Sequence, residues 1–458
     1  VYLLRLLLIR GLSGELYLIA ALVGLSTASV RFLPVAAWGC LAFCLLRFVR
    51  RRLFHQSARH SPWLTADPFV TLLILTLGLS VLITAFPDNT VPQVLRTFTG
   101  IALFYAIVNW ANERNRIARL RLITIALCGG LSVMALAGPF IVDWQEGKFL
   151  IIPGTVYANF RLLVSDSVNP NVLAGALIIF MPLPLANLSF LVKDCPALDL
   201  VTSVVSLILS IIMLVLAQSR GALVAFAIAT TALLVLRRWK IVIVLAILAI
   251  LIAVYFLLDT AALIATAESL SVTNALNGLD NRIEIWSRAW YMVQDFAFTG
   301  IGMGSFEQVT EMLYPLIITP PGVPHAHNLF LQIAVDLGVP GLIAWLGILI
   351  TVIVSSWRAY RSADSTLRAL GAGLLASQVA LCVHGLTDAV TWGMVRSAPL
   401  VWALWGAAVA AGLAARGSGV DQPPALTGPS RSVESRDGDQ REHGQHHHSP
   451  NPPIPDHT

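Results

Sequence analysis

The chain has 458 residues, of which 57% are hydrophobic and only 12% charged. A soluble domain carries about 25% charged residues, so a water-soluble fold of this length is excluded. The formal net charge of +5 does not rescue a nucleic-acid reading, because the arginines are scattered between apolar segments and form no basic face. The composition defines an all-α integral membrane protein.

Apolar runs bounded by charge or turn residues fall at about 16–33, 34–49, 69–86, 95–110, 118–138, 171–191, 198–217, 220–236, 240–258, 328–355, 367–388 and 396–414. Each is near the roughly 20 residues that cross a bilayer, so about 12 transmembrane helices are expected. No small-residue cleavage site follows the apolar residues Val1 to Arg10, so no removable signal peptide is expected. The stretch from Leu198 to Leu236 must be two helices, because as one it would be about twice as long as the hydrocarbon core is thick. Gln218-Ser219-Arg220-Gly221 supplies the turn. Cys40, Cys44, Cys128, Cys195 and Cys382 have no metal-like spacing and read as small buried hydrophobes.

Lys and Arg in the loops set the orientation. Eighteen lie on the side of both chain ends, among them Arg47, Arg119, Arg237, Arg361 and Arg368; eight lie on the other. Those eight are Arg31, Arg96, Lys148, Arg161, Arg220, Arg282, Arg288 and Arg396. Both termini are therefore expected in the cytoplasm, and two long loops, 139–170 and 259–327, outside. Residues 1–415 form the expected membrane domain. Residues 416–458, rich in Pro, Gly, Ser, His and charge, cannot bury a core and read as a disordered cytoplasmic tail; His446, His447 and His448 belong to that solvated stretch.

Chemistry is expected where polar side chains are expensive. Arg220 sits at the outer end of a tight hairpin, against the charge bias, and invites an anionic ligand. In the loop before the tenth span, helical spacing puts Arg282, Trp286 and Trp290 on one face, with Arg288 nearby. Gly300-Ile301-Gly302-Met303-Gly304-Ser305-Phe306 follows; its glycines allow a tight turn or close backbone approach, without a Walker lysine to mark a phosphate loop. Pro324-His325-Ala326-His327-Asn328 leads into the tenth span, where Asn328, Gln332 and Asp336 form a polar stripe that must face protein or a water-filled cavity. A histidine at such a mouth can act as general base near neutral pH. Gly338-Val339-Pro340-Gly341 should break that helix.

The stretch from about 165 to 345 resembles the O-antigen ligase and O-antigen polymerase family of bacterial membrane glycosyltransferases. Four pieces carry the resemblance in order: Asn169-Pro170-Asn171, Ser219-Arg220-Gly221, Arg282 with Trp286 before the glycine run, and His327-Asn328 before Gly338-x-x-Gly341. Leu342 stands where ligases often carry threonine, which turns the balance from ligation toward polymerisation.

The resemblance implies a GT-C-like transferase at the outer face of the bacterial inner membrane. It would move an oligosaccharide from undecaprenyl diphosphate to an acceptor hydroxyl on a glycan, lipid or protein. His327 would take the hydroxyl proton, and Arg220 and Arg282 would hold the diphosphate, with inversion at the anomeric carbon and no metal or other cofactor. Arg288, His325, Asn328 and Asn171 are the expected substrate contacts. Protein O-oligosaccharyl transfer is the nearest alternative, and small-anion (bicarbonate-like) transport the more distant one.

Overall fold

The computed structural model describes residues 14–53, 64–112, 115–144, 152–163, 167–191, 196–238, 272–317, 322–389, 391–393 and 395–417. It divides into the units Val1–Gly419 and Val420–Thr458, and every described residue lies in the first. The predicted span 240–258 and the tail beyond residue 417 lie outside the described residues.

In chain order the helices are α1 Glu15–Ala28, α2 Leu33–Leu53, α3 Asp67–Ile83, α4 Pro87–Ala111, α5 Arg116–Ile141 and the short α6 Gly154–Ala158. They continue with α7 Pro170–Phe180, α8 Pro182–Phe190, α9 Ala197–Ala217, α10 Arg220–Arg237, α11 Val272–Asp295 and α12 Phe306–Leu313. The last three are α13 Leu329–Tyr360, α14 Ser365–Gly385 and α15 Ala398–Gly417. The other eleven predicted spans therefore all coincide with helix. Among the described residues, nine helical segments are long and apolar enough to cross a membrane; Glu15–Thr27 and Asp67–Ile83 are shorter apolar helices. The chain is an all-α integral membrane protein.

The helix α9 shows why these sequences form a bundle in lipid. Its inward residues Asp199, Ser203, Ser206, Ser210, Met213 and Ala217 recur at three- and four-residue intervals, and all but Met213 are small or polar. Leu200, Val201, Val205, Ile208 and Ile212 point outward and are exposed. With hydrocarbon as the solvent, association depends on packing and interhelical hydrogen bonds rather than on hiding leucines. Accordingly, Asn187 of α8 donates to Ser203. Arg121 of α5 grips Asp199 through Nε at 3.0 and 2.8 Å and through NH2. The Asp199 side chain is only 4% exposed, so Arg121→Ala would strand its charge. Losing one partner of a buried pair costs about 3–5 kcal/mol, and the 39% exposure of Arg121 places this loss at or below the lower end. A fall in Tm measured in detergent, larger for Arg121→Ala than for the double replacement with Asp199→Asn, would check it.

At the centre, α15 packs on α4 and α13, and α13 packs on α14 and α3. Glycine allows the tightest approach: a Cβ at Gly406 of α15 would meet the Phe104 carbonyl of α4 at 2.8 Å. Cys40 and Cys128 are buried as expected, whereas Cys44 is exposed and Cys382 intermediate.

Candidate active site

The ends of α9 and α10, of α13 and of α14 meet at one end of the bundle. Gln218 closes α9 in the left-handed conformation, with φ 50°. Its amide donates to the Tyr157 hydroxyl at 2.9 Å, and that hydroxyl donates to the Leu216 carbonyl at 3.0 Å. This buried clasp fixes the predicted turn and sets exposed Arg220 at the first residue of α10. Gly221 packs so close to the loop after α14 that a Cβ there would meet Thr387 Oγ1 at 2.9 Å. The turn that carries Arg220 thus packs, through Gly221, against Thr387.

His325 and His327 stand with ring centroids 4.2 Å apart. The backbone N–H of His327 donates to His325 Nδ1 at 3.1 Å. In a neutral imidazole, an accepting Nδ1 leaves the proton on Nε2, and His325 Nε2 faces Asp388 Oδ1 at 3.6 Å. His327 Nδ1 faces the same oxygen at 4.0 Å. That separation is too long for a hydrogen bond, and Nδ1 is a buried atom without one. With Nδ1 turned to Asp388, Nε2 is the nitrogen of His327 available to a substrate. His327 also holds a φ of 46°, uncommon for a residue with a side chain and frequent at functional positions.

Both histidines are pushed down to about 4, first by burial. Arg282 lowers both; His325 further lowers His327, and Asp388 acts on His327 in the opposite direction. At neutral pH both rings are uncharged, the form that accepts a proton. The same effects bring Arg282 of α11 within electrostatic reach of the pair and of His384 on α14.

The polar stripe faces protein and is fully used. Gln332 Oε1 accepts from the Ala326 N–H at 2.7 Å, pinning the loop between the histidines, and its amide donates to Asp336 Oδ1 at 2.9 Å. Asp336 also accepts from Gly304 N at 3.3 Å and from Trp392 Nε1 at 2.8 Å. Both Gln332 and Asp336 are completely buried. Asn328 caps α13, accepting from the N–H groups of Phe330 and Leu331 at 3.0 Å, and donates to the Leu386 carbonyl at 3.3 Å. It ties the histidine loop to the loop that carries Asp388.

The glycine run approaches protein backbone and side chains closely. The helix α13 breaks at Gly338, with φ 70° and ψ −179°. The Val335 carbonyl, which an unbroken helix would pair with Val339, accepts from Ile301 N at 2.9 Å; Val339 N donates to the Ala297 carbonyl at 2.7 Å. Met303 N donates to Ser80 of α3 at 2.8 Å. These bonds weld the segment after α11 onto α13 and α3, and so fix Arg282 relative to His327. A Cβ at Gly338 would meet the Ala297 carbonyl at 2.8 Å and impose the positive φ on a residue that resists it. Gly338→Ala is therefore expected to cost at least about 1–2 kcal/mol, read as a lowered Tm with loss of activity.

Not every expected residue joins the cluster. Arg288 lies six residues beyond Arg282, about 240° round an ideal helix, and its Nε is buried without a hydrogen bond. Asn171 is the second residue of α7, at the same end of the bundle; its backbone N–H donates to the cap residue Asn169 at 2.8 Å. No contact joins either one to the histidines among the described residues. Trp286 has a buried Nε1 without a partner, and Trp290 is half exposed.

Asp388 escaped the sequence reading, as did His384. Its signal was available: it is the last residue of the run 367–388, a carboxylate at the edge of a span. One ligand atom from each of His325, His327 and Asp388 falls within 4.8 Å of the others. These three could hold a divalent ion, a cluster that the histidine spacing alone did not disclose.

The fold defines a multi-pass membrane protein with a cluster of two histidines and a carboxylate at one end of its bundle. Residues 205–346 match a family model described as O-antigen ligase, over the later part of α9, then α10, α11, α12 and the first half of α13. The matched stretch contains Arg220, Arg282, His325 and His327 and supports a membrane glycosyltransferase of that general type. No curated protein matches the chain.

Proposed function

We propose that the chain transfers an oligosaccharide from undecaprenyl diphosphate to an acceptor hydroxyl at the outer face of the bacterial inner membrane. Chain polymerisation is the favoured form, and ligation to a lipid core or transfer to a protein hydroxyl are the other forms of the same chemistry. The observation that carries the reading is the convergence of His325, His327, Asp388 and Arg282 at one bundle end, beside the turn that presents Arg220.

The acceptor oxygen attacks the anomeric carbon from the face opposite the diphosphate, forming the new glycosidic bond with inversion. His327 Nε2 takes the hydroxyl proton. The imidazolium that results faces Asp388, whose charge stabilises it across 4.0 Å. The bond from the anomeric carbon to the diphosphate oxygen breaks, and undecaprenyl diphosphate leaves with the electron pair. Arg282 and Arg220 meet the growing negative charge with guanidinium forks that match phosphate oxygens. These residues supply base and charge stabilisation without a metal. Asn328 and Gln332 position the histidine loop.

Full-length protein in liposomes, given labelled undecaprenyl-diphosphate glycan and an unlabelled acceptor glycan, tests this directly. Product glycan growing in length, undiminished by EDTA, is the expected result. Abolition by EDTA with recovery on adding metal would remove the metal-independent mechanism. Anion flux without glycan transfer would replace the enzyme by a transporter.

A further inference from the structure

The opposite end of the bundle carries a second cationic site. The C-termini of α8, α10 and α13 and the N-terminus of α14 line an open cavity of ≈ 500 Å³. It is lined by Ser189, Phe190, Leu236, Tyr360 and the arginines Arg237, Arg361 and Arg368, with no carboxylate among the lining residues. The Tyr360 hydroxyl donates to the Leu236 carbonyl at 2.7 Å, which joins α13 to α10 and makes one wall rigid. Arg237 lies over the Phe190 ring at 5.9 Å. Arg368 uses Nε and NH2 on the Ser362 carbonyl at 3.2 and 3.1 Å, so its guanidinium plane is fixed.

Helix dipoles account for only part of this arrangement. Cations at the C-terminal ends of α10 and α13 stabilise those helices, which explains Arg237 and Arg361. Arg368 sits in the first turns of α14, where a cation meets the positive end of the helix. Asp364 caps that helix through the Leu367 N–H at 2.9 Å. Three guanidinium groups around one cavity therefore call for an external anion. The surroundings of the cavity say which one. Trp357, 46% exposed, lies tilted against the partly buried Tyr360 with centroids 5.4 Å apart. A Trp–Tyr pair with an exposed Trp near the end of a membrane-spanning helix marks the level of the lipid headgroups. Val235 of α10 and Val354 of α13, near the same ends of their helices, are exposed apolar residues.

We propose that this cavity binds the headgroup phosphate of an anionic phospholipid between Arg237, Arg361 and Arg368, with the acyl chains along Trp357 and Val235. Basic pockets between transmembrane helices hold such headgroups by charge and by the fork geometry of arginine. The site lies at the far end of α10, α13 and α14 from the histidines, so it holds lipid whether or not the proposed transfer reaction is correct.

The test uses the full chain in neutral detergent, with thermal unfolding and native mass spectrometry as readouts. Added phosphatidylglycerol is expected to raise Tm by at least about 3 °C over the same amount of phosphatidylcholine, with retained lipid adducts. Arg237→Gln and Arg368→Gln should each remove at least half of that shift and lower adduct retention about fivefold or more. Arg31→Ala, at the other end of the bundle, should leave both unchanged. If one arginine variant does not fold well, the other still decides, because adducts are read on the folded fraction alone. Equal shifts from the two lipids, or full shifts in both arginine variants, would overturn the proposal. The same shift from inorganic phosphate alone would overturn it in favour of a free-anion site.

Discussion

His327→Ala is expected to lower glycan transfer by about 10²–10⁴-fold, the usual contribution of a positioned general base. Its Tm should stay within about 2 °C of the parent, because the side chain is partly exposed and its Nδ1 makes no hydrogen bond. The pH dependence separates a base from a structural ring. The neutral ring is the active form, and it is protonated only as pH falls through about 4. The acid limb of kcat/KM should therefore lie well below the 6.5 of a free imidazole, and activity should persist at pH 5.5. Asp388 is the one charge that favours the protonated ring. Asp388→Asn removes it, so the acid limb should move to still lower pH while kcat falls as the imidazolium loses its counter-charge. A limb that moved upward would assign Asp388 another role.

Arg282→Ala is expected to cost about 10²–10³-fold in kcat, the scale of losing one preorganised donor to developing charge. Arg282→Lys should recover little, because a point charge does not reproduce the paired geometry on a diphosphate. The signature lies in the histidines as well as in the rate. Arg282 depresses both rings, so its loss should raise the acid limb, opposite in sign to the effect of Asp388→Asn. Opposite shifts from two substitutions on different elements, followed in one set of pH profiles, are hard to obtain unless both charges act on the same ring. Arg220→Ala should lower kcat on the same scale.

Much of this was legible because bilayer physics makes a sequence readable along its length. Apolar runs of the right length predicted helices, and the turn Gln218–Gly221 and the break at Gly338 were marked by residues that permit little else there. The stripe of Gln332 and Asp336 was placed facing inward, as found. Its use was not legible: an apolar helix with polar residues every fourth position looks the same whether it lines a water-filled cavity or clasps a loop. Only the partners, Ala326 N–H, Gly304 N–H and Trp392, decide between them. The glycine run shares this ambiguity, since close backbone approach is dictated by sequence but the thing approached is not. The pairing of Asp388 with the histidines was not legible, because the loop before α13 and the loop after α14 meet through tertiary contact, which spacing along the chain does not encode.

The most direct measurement is the coupled release of undecaprenyl diphosphate and formation of the glycosidic bond by purified full-length protein in EDTA, compared with His327→Ala and Arg282→Ala. The account predicts one undecaprenyl diphosphate released per bond formed, inverted stereochemistry at the new bond, and loss of both signals together in each variant. Transfer at the parent rate by both variants, with unchanged pH profiles, would contradict it.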